Sequence, residues 1–495
     1  MEFYTHAAQW GGKVRVRGWK NGRRFQDSIP YRPYLFTRSK TNEPTGYVTL
    51  RDQPVDRVQF DSIYDAKEFV ERYRDVHNFE VYGSTNWPYA YLYDVYGRGM
   101  EYDAKQVSVV NVDIEVGADE FPDPWKADWP ITAITLEKNK KYVSFGLMPY
   151  VPADPEDVYV MCESEEDMLE RFITAWLNFD PDVVTGWNID YFDVPYLVNR
   201  IRKLLGDDYA CMLSPWKKIK ESTVFYHGSN KTLYDLVGVT SLDYLPLYKK
   251  FSFSNEESYR LDNIAFVTIG EKKLDYSEYE SLNDLYKNNF QLFMEYNRRD
   301  VALVSRMNDK LGFIEQVFAM AYDTLVNFSD TFTTVKFWEI ICHNYLLDQG
   351  VVSPQKKHSI KEKQIAGGHV KEPITGRHEW VASFDLDSLY PHLIMQYNIS
   401  PETLVDRLDE LPSEESSVDR ILNGFMNEER LAQLREADLS LTAGGALYSR
   451  AKRGFAAALM DKFYEDRKKF KGMMNEEKKN LEAIEAEMKR RGLAL

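Results

Sequence analysis

Residues 107–116 read VSVVNVDIEV. The run is rich in valine and nearly free of polar positions, as expected of a strand buried on both faces. Two carboxylates interrupt it, Asp113 and Glu115. Their spacing of two puts both on one face of a strand, side by side. Adjacent carboxylates repel unless a cation sits between them, and a hard divalent ion takes oxygen ligands of this kind.

The segments that follow support an α/β unit. ITAITLEKN and KYVSFGLM read as a meander, PDVVTGWN as a further strand, and EEDMLERFITAWLNFD as an amphipathic helix with an acidic first turn. VPYLVNRIRKLLG reads as a helix closed by Gly206, and LYKNNFQLFMEYNRRDVALVSRMNDKLGF as one helical stretch. Before residue 107, short strands with an Asn21-Gly22 hairpin turn and a helix at about 65–74 suggest a small α+β domain. Further on, 315–355 is helical and Phe-rich, WVASFDLDSLY reads as a strand, and RLDELPSEESSVDR as an acidic surface loop. The last forty or so residues read as one or two long charged helices.

A length of 495 residues exceeds what one hydrophobic core organises. The net charge of −16 argues mildly against a wholly basic nucleic-acid binder but leaves room for local basic patches. Cys162, Cys211 and Cys342 show no metal-ligand spacing, so reduced thiols and no zinc site are expected. No apolar run reaches bilayer-spanning length, so no membrane partner is expected.

Two more acidic positions join the first pair. WNIDYFDVPY supplies Asp193 at a strand-to-helix junction, and YNRRD places Tyr296 and Asp300 on one helix face, four apart. Phosphodiester hydrolysis needs two ions about 4 Å apart, one for the attacking water and one for the leaving oxygen. Four carboxylates and a water-orienting hydroxyl suffice for that task. Singly each is commonplace: Asp193 serves equally as a helix cap, and a Y-x-x-x-D as a solvated face.

The set resembles the three motifs of the DEDDy 3′–5′ proofreading exonucleases. That resemblance implies Asp113, Glu115, Asp193 and Asp300 as ligands of two Mg²⁺ ions, with Mn²⁺ the alternative. It implies Tyr296 as the residue that orients the water and Asn188, in TGWN, as a contact to the frayed primer end of single-stranded DNA. Further on, DLDSLYP resembles motif A of family B DNA polymerases. The resemblance implies Asp385 and the Leu386 carbonyl as metal ligands and Ser388 and Leu389 as triphosphate contacts. Tyr390 is implied to pack under the sugar of a dNTP, excluding a 2′-hydroxyl. AGGHV resembles the connector that touches template backbone, through Gly367 and Gly368. DRKKFKGMM resembles the first fingers helix, and one of its faces carries Arg467 and Lys471 for the triphosphate.

The resemblance, to the large tailed-phage polymerases in particular, spans the chain. It implies an N-terminal domain at 1–106 with 315–355 packing back on it. It implies an RNase H-like exonuclease at 107–314, a partial palm at 356–450 and partial helical fingers at 451–495, an α/β and α+β multidomain chain. Residues 386–495 contain neither an N-S-x-Y-G nor a D-T-D motif. Asp385 is therefore expected to be completed by a second polymerase chain bearing the remaining fingers, palm and thumb, or the sequence is truncated. The basic last turn before Gly492 favours the former. Primer-template DNA, a sliding clamp and the cytoplasm of a phage-infected bacterial cell complete the expectation. The competing readings are a free-standing exonuclease with a vestigial polymerase region, and a non-catalytic nucleic-acid-binding scaffold.

Overall fold

The computed structural model describes residues 1–41, 43, 45–226, 228–355, 370–408 and 420–492. These divide into two compact units. One comprises Met1–Leu35, Arg57–Asn78 and Ser84–Asn344; the other comprises Phe36–Asp56, Phe79–Gly83 and the described residues from Tyr345 onward.

The first unit is built on a six-stranded mixed sheet. Its order is Val158–Met161, Lys141–Gly146, Ile131–Lys138, Val109–Val116, Val183–Gly186, Thr240–Asp243. The Val109–Val116 strand runs antiparallel to Ile131–Lys138 and parallel to Val183–Gly186. It is thereby covered on both edges, which suits its unbroken apolar character. Between the two meander strands Asn139 and Lys140 both take positive φ (54° and 66°), the conformation that a two-residue hairpin turn requires. The helices Glu165–Phe179 and Asp193–Leu204 bury Phe172, Trp176, Tyr196 and Leu197 against Val112, Ile114 and Leu136 of the sheet. Each such side chain contributes roughly 1.5–3 kcal/mol through burial. The helical stretch expected around residues 285–313 is interrupted. Asn289 leaves helical backbone (φ −148°, ψ 75°), and its side chain caps a new helix, Phe290–Leu311, by accepting Leu292 N–H at 3.1 Å.

The N-terminal strands Glu2–Trp10, Lys13–Lys20 and Arg23–Pro30 form an antiparallel sheet in the same unit. A buried ionic knot fastens it to the larger one. Asp182 is fully buried, yet it accepts Ser108 N–H at 2.9 Å, Thr5 Oγ1 at 2.6 Å and Trp19 Nε1 at 3.1 Å, and pairs with Arg17 and Arg24. Arg17, also fully buried, reaches Asp180 at 2.7 Å. Burial works to raise the Asp182 pKa, but the two guanidiniums outweigh it and hold the carboxyl below the usual range. Farther along, Tyr4 and Asn327 join the first strand to the segment after the Phe313–Thr324 helix: Tyr4 OH donates to Val326 O at 2.8 Å and Asn327 Oδ1 accepts Ala7 N–H at 2.8 Å.

In the second unit Leu389–Tyr397 lies against the 36-residue helix Phe455–Arg490, with His392 edge-on to Tyr464 at 4.7 Å. The strands Leu404–Arg407, Ala446–Ser449 and Leu439–Leu441 make a small antiparallel sheet. Asn398 ties these parts together. Its amide donates to Ser449 O and Lys452 O, and its Oδ1 accepts Gly454 N–H at the root of the long helix.

One expected element is not formed. Within WVASFDLDSLY no residue pairs into a ladder among the described residues. Trp380 is 100% exposed and Phe384 94%. The alternation that signals a strand is local, whereas a strand persists only when a neighbour satisfies its N–H and C=O groups. Gly367, Gly368 and residues 409–419 of the acidic loop lie outside the described residues.

Replacing Asp182 with Ala removes one of the two carboxylates paired with buried Arg17 and leaves Ser108 N–H and Trp19 Nε1 without the acceptor they share. The expected cost is about 3–5 kcal/mol, read as a lowered urea midpoint at unchanged m-value. Because its folded pKa is depressed, the Asp182 contribution is present at neutral pH and lost on acidification through that depressed value. The wild-type and Asp182→Ala midpoints should therefore converge as the pH falls.

Candidate active site

Strand period and helix period together build a cluster of acids. Asp113 and Glu115 project from one face of the Val109–Val116 strand, and the Phe290–Leu311 helix crosses that face, bringing Asp300. One carboxylate oxygen from each of Asp113, Glu115 and Asp300 lies within 4.8 Å of the other two. Asp193, at the start of its helix and 3% exposed, accepts Ile114 N–H at 3.0 Å. It thus sits beside the strand and adds its charge to the field at Asp113, though it is not one of the three converging oxygens. Tyr296, 6% exposed, lies one turn before Asp300 on the same helix.

Two side chains that sequence reading passed over complete the cluster. Lys273 Nζ donates to Tyr296 OH at 3.0 Å and to Asp300 Oδ2. Its backbone N–H is held by Asp262 Oδ1 at 2.8 Å, and the segment before it is clamped to the Phe290–Leu311 helix by Glu271 with Arg299 and Arg306. Asn297, fully buried, donates from Nδ2 to Asp113 Oδ2 at 2.7 Å. A single Lys in EKKLDY and an Asn next to Tyr296 carry no spacing signal. Only the packing of distant segments shows what they touch.

The electrostatics follow from burial. Removal from water pushes every acid upward, Glu115 to about 8 and Asp193 to about 7, and repulsion among neighbours adds to it. Asp113 is raised well above its ordinary value by burial, then by Asp193, Asp300 and Glu115. Asp300 is raised as well, because burial outweighs the pull of Lys273. Burial works against the Lys273 ammonium, but Asp300 and Tyr296 outweigh it and hold Lys273 well above the usual lysine range. One ammonium against four carboxylates leaves the cluster under-neutralised. Asp300 Oδ1 is buried and accepts no hydrogen bond within the protein. All-oxygen donors with an unsatisfied buried oxygen fit a divalent cation.

Asn188 lies in the turn after the Val183–Gly186 strand with positive φ (64°), its N–H donated to Asp243 Oδ1 at 2.9 Å.

Comparisons with known proteins place both units in one family. The model for the exonuclease domain of DNA polymerase family B matches residues 93–264, and that for DNA polymerase family B matches residues 336–492. The chain belongs to DNA polymerase family B. It is 32% identical to the DNA-directed DNA polymerase of Escherichia phage RB69 and, equally, to that of Enterobacteria phage T4. Each alignment covers 98% of this chain and 55% of the relative. The DNA polymerase delta catalytic subunit of Candida albicans is 26% identical over 64% of this chain and 30% of its own length. The chain thus spans about half the length of the phage relatives it matches.

The polymerase-like residues of this family B chain lie in the second unit and form no comparable cluster. Asp385 is exposed and belongs to no metal-sized group of acids among the described residues. Leu386 is 68% and Tyr390 73% exposed. Ser388 adopts positive φ (52°) immediately before the Leu389–Tyr397 helix. Arg467 reaches back to this turn, donating to Ser388 Oγ at 2.5 Å and pairing with Asp387 at 3.3 Å. Lys471, one turn along, is exposed.

If the domain acts as the exonuclease its family match describes, Lys273→Met should leave the fold intact and lower single-stranded DNA hydrolysis by about 10²–10³ in kcat, the usual effect of deleting one preorganised donor in a buried site. Steady-state rates on an end-labelled oligonucleotide check this. Lys273→Arg should recover part of the loss.

Proposed function

We propose that this family B chain is a 3′–5′ exonuclease using two divalent ions, and forms the proofreading part of a DNA-directed DNA polymerase. The observation that carries the reading is the meeting of Asp113, Glu115 and Asp300 oxygens within 4.8 Å, one oxygen of Asp300 being buried and unpartnered.

Asp113, Glu115, Asp193 and Asp300 would hold the ions. When bound, these stabilise charge on the phosphate and lower the pKa of water, with Mg²⁺ the ion expected and Mn²⁺ the alternative. The chain's own residues do the rest. Lys273 donates to the Tyr296 hydroxyl, so the phenol keeps its own proton to donate and a lone pair to accept the attacking water. The same ammonium fixes Asp300 Oδ2 and leaves Oδ1 free. Asn297 fixes Asp113 Oδ2 in the same way. Asn188 contacts the terminal nucleotide of single-stranded DNA. Water adds to phosphorus, the bond to the bridging 3′ oxygen breaks, and that oxygen takes a proton to become the new primer end.

The second unit carries half of a nucleotidyl-transfer site. Asp385 and the Leu386 carbonyl would ligate metal; Ser388, Leu389, Arg467 and Lys471 would bind the triphosphate; Tyr390 would select deoxyribose. Gly367 and Gly368 would touch template. The exposure of Trp380, Phe384, Leu386 and Tyr390 supports a further layer over this segment. A polypeptide bearing the second catalytic carboxylate, the remaining fingers and the thumb would supply that layer. Primer-template DNA and dNTPs are the substrates of the completed enzyme. A sliding clamp as partner and the infected host's cytoplasm as location follow from the phage-type resemblance alone. Of the helices described, none is long and apolar enough to cross a membrane.

With Mg²⁺ and a 5′-labelled single strand, the chain should give a ladder of shortened products, and Asp113→Ala combined with Glu115→Ala should reduce it to background. A folded wild type that shortens no strand with either ion would sink the proposal. Primer extension should appear only once a polypeptide carrying D-T-D is added. Metal binding should also be visible in stability. The folded state keeps protons on Glu115 and Asp193 that the unfolded chain releases near pH 4–4.5, so metal-free stability falls as pH rises toward about 8. A divalent ion competes with those protons. The Mg²⁺-induced rise in Tm should therefore be larger at pH 8.5 than at pH 6, and absent in the double variant.

A further inference from the structure

The turn that carries Asn188 is held by a carboxylate outside the acid cluster. Asp243 ends the Thr240–Asp243 strand, where it pairs with Gly186 of the neighbouring strand. Its side chain is 2% exposed. Oδ1 accepts Asn188 N–H at 2.9 Å and Leu245 N–H at 3.0 Å, and Oδ2 accepts Asp190 N–H at 3.2 Å. Only the Leu245 bond belongs to capping the Tyr244–Phe251 helix. Serine, threonine or asparagine caps as well, and none of them needs a buried charge. The other two bonds go to the turn.

That turn is tight. A Cβ at Gly186 would lie 2.5 Å from both Ile189 Cγ2 and Val112 O, so the turn presses on the residue before Asp113. Asn188 holds φ +64°, a left-handed conformation that asparagine tolerates better than other residues with a side chain. The neighbouring acid makes the arrangement costlier. Asp190, whose Oδ1 accepts Ser241 Oγ at 2.5 Å, places a second carboxylate beside Asp243. A helix cap alone does not call for a second carboxylate beside a buried one. Asn188 lines a cleft of about 390 Å³ with Asp190, Tyr191, Asp243, Lys249 and Phe332, within the range of small-molecule sites and so roomy enough for a nucleotide.

We propose that Asp243 is a positioning residue for the nuclease reaction, its carboxylate locking the tight turn so that Asn188 meets the 3′-terminal nucleotide. The inference rests on the exonuclease reading above. Asp243 lies outside the acid cluster, so it acts on binding of the strand end more than on the chemical step.

The test is steady-state hydrolysis of a single-stranded oligonucleotide by the full chain with Mg²⁺. Asp243→Ser keeps a capping oxygen for Leu245 but is too short to reach Asn188 and Asp190. KM should rise about tenfold, the equivalent of about one hydrogen bond, with kcat changed less than about threefold. Asn188→Gly relaxes the backbone and deletes the contact, so its KM should rise too, and the double variant should be no worse than Asn188→Gly alone. A KM for Asp243→Ser within about twofold of wild type, or KM effects that multiply in the double variant, overturns the proposal. If neither Asp243→Ser nor Asp243→Asn folds, by circular dichroism and melting, the carboxylate is structural and the proposal is overturned as well. A folded wild type without activity instead removes the exonuclease reading, and this proposal with it.

Discussion

Removal of four clustered acids from water is the constraint on which the first unit turns. A strand puts Asp113 and Glu115 on one face, and a helix lays Asp300 across it. Nothing in hydrophobic packing calls for that convergence. Burial without a cation leaves each acid's charged form disfavoured, which is why all four are pushed upward. Lys273 and Asn297 offset part of the cost, each on one oxygen of one acid. What remains is a deficit of positive charge, sized and shaped for divalent ions. The site is a local instability that the surrounding core has to support.

That support is concentrated on one short strand. Val183–Gly186 is pinned where the chain enters it and where the chain leaves. At entry, Asp182 ties it to Ser108 and, through Arg17, Arg24, Thr5 and Trp19, to the N-terminal sheet. At exit, Asp243 holds the turn through Asn188 and Asp190. The chain then reaches Asp193, which grips Ile114 N–H between the two acids of the central strand. Three buried aspartates along one short path therefore accept backbone N–H groups from other segments. Such bonds, buried away from competing water, resist movement more than apolar contacts do. A site that must hold ligand atoms to a fraction of an ångström is thereby built on rigid elements.

What was legible in the sequence followed periodicity. A D-x-E on an apolar run and a Y-x-x-x-D in a helical stretch each state which residues share a face, because strand and helix periods are local properties. The faces then needed only one crossing to meet. Lys273, Asn297 and Asp243 were not legible, since their roles depend on which segment lies opposite. The same limit explains the WVASFDLDSLY segment. Its alternation is a local signal, but a ladder is a relation between two stretches of chain, and among the described residues no second stretch is there. Arg467 lies between these cases. Its place on a helical face was readable, but its grip on Ser388 and Asp387 was not.

The two metal-site candidates differ in a way that follows from solvent. In the first unit the acids are buried, water competes poorly, and the charge deficit has a defined location. In the second, Asp385 stands exposed amid Trp380, Phe384, Leu386 and Tyr390, all largely in solvent. A lone exposed carboxylate gains little by binding Mg²⁺, an ion that gives up its waters reluctantly. Arg467 meanwhile rests on Asp387 and Ser388, the turn to which a triphosphate would come. Covering the apolar side chains would lower the local dielectric around Asp385, but burial is only half of the condition met around Asp113. A divalent-ion site also asks for acids that converge, and among the described residues three do so only in the first unit.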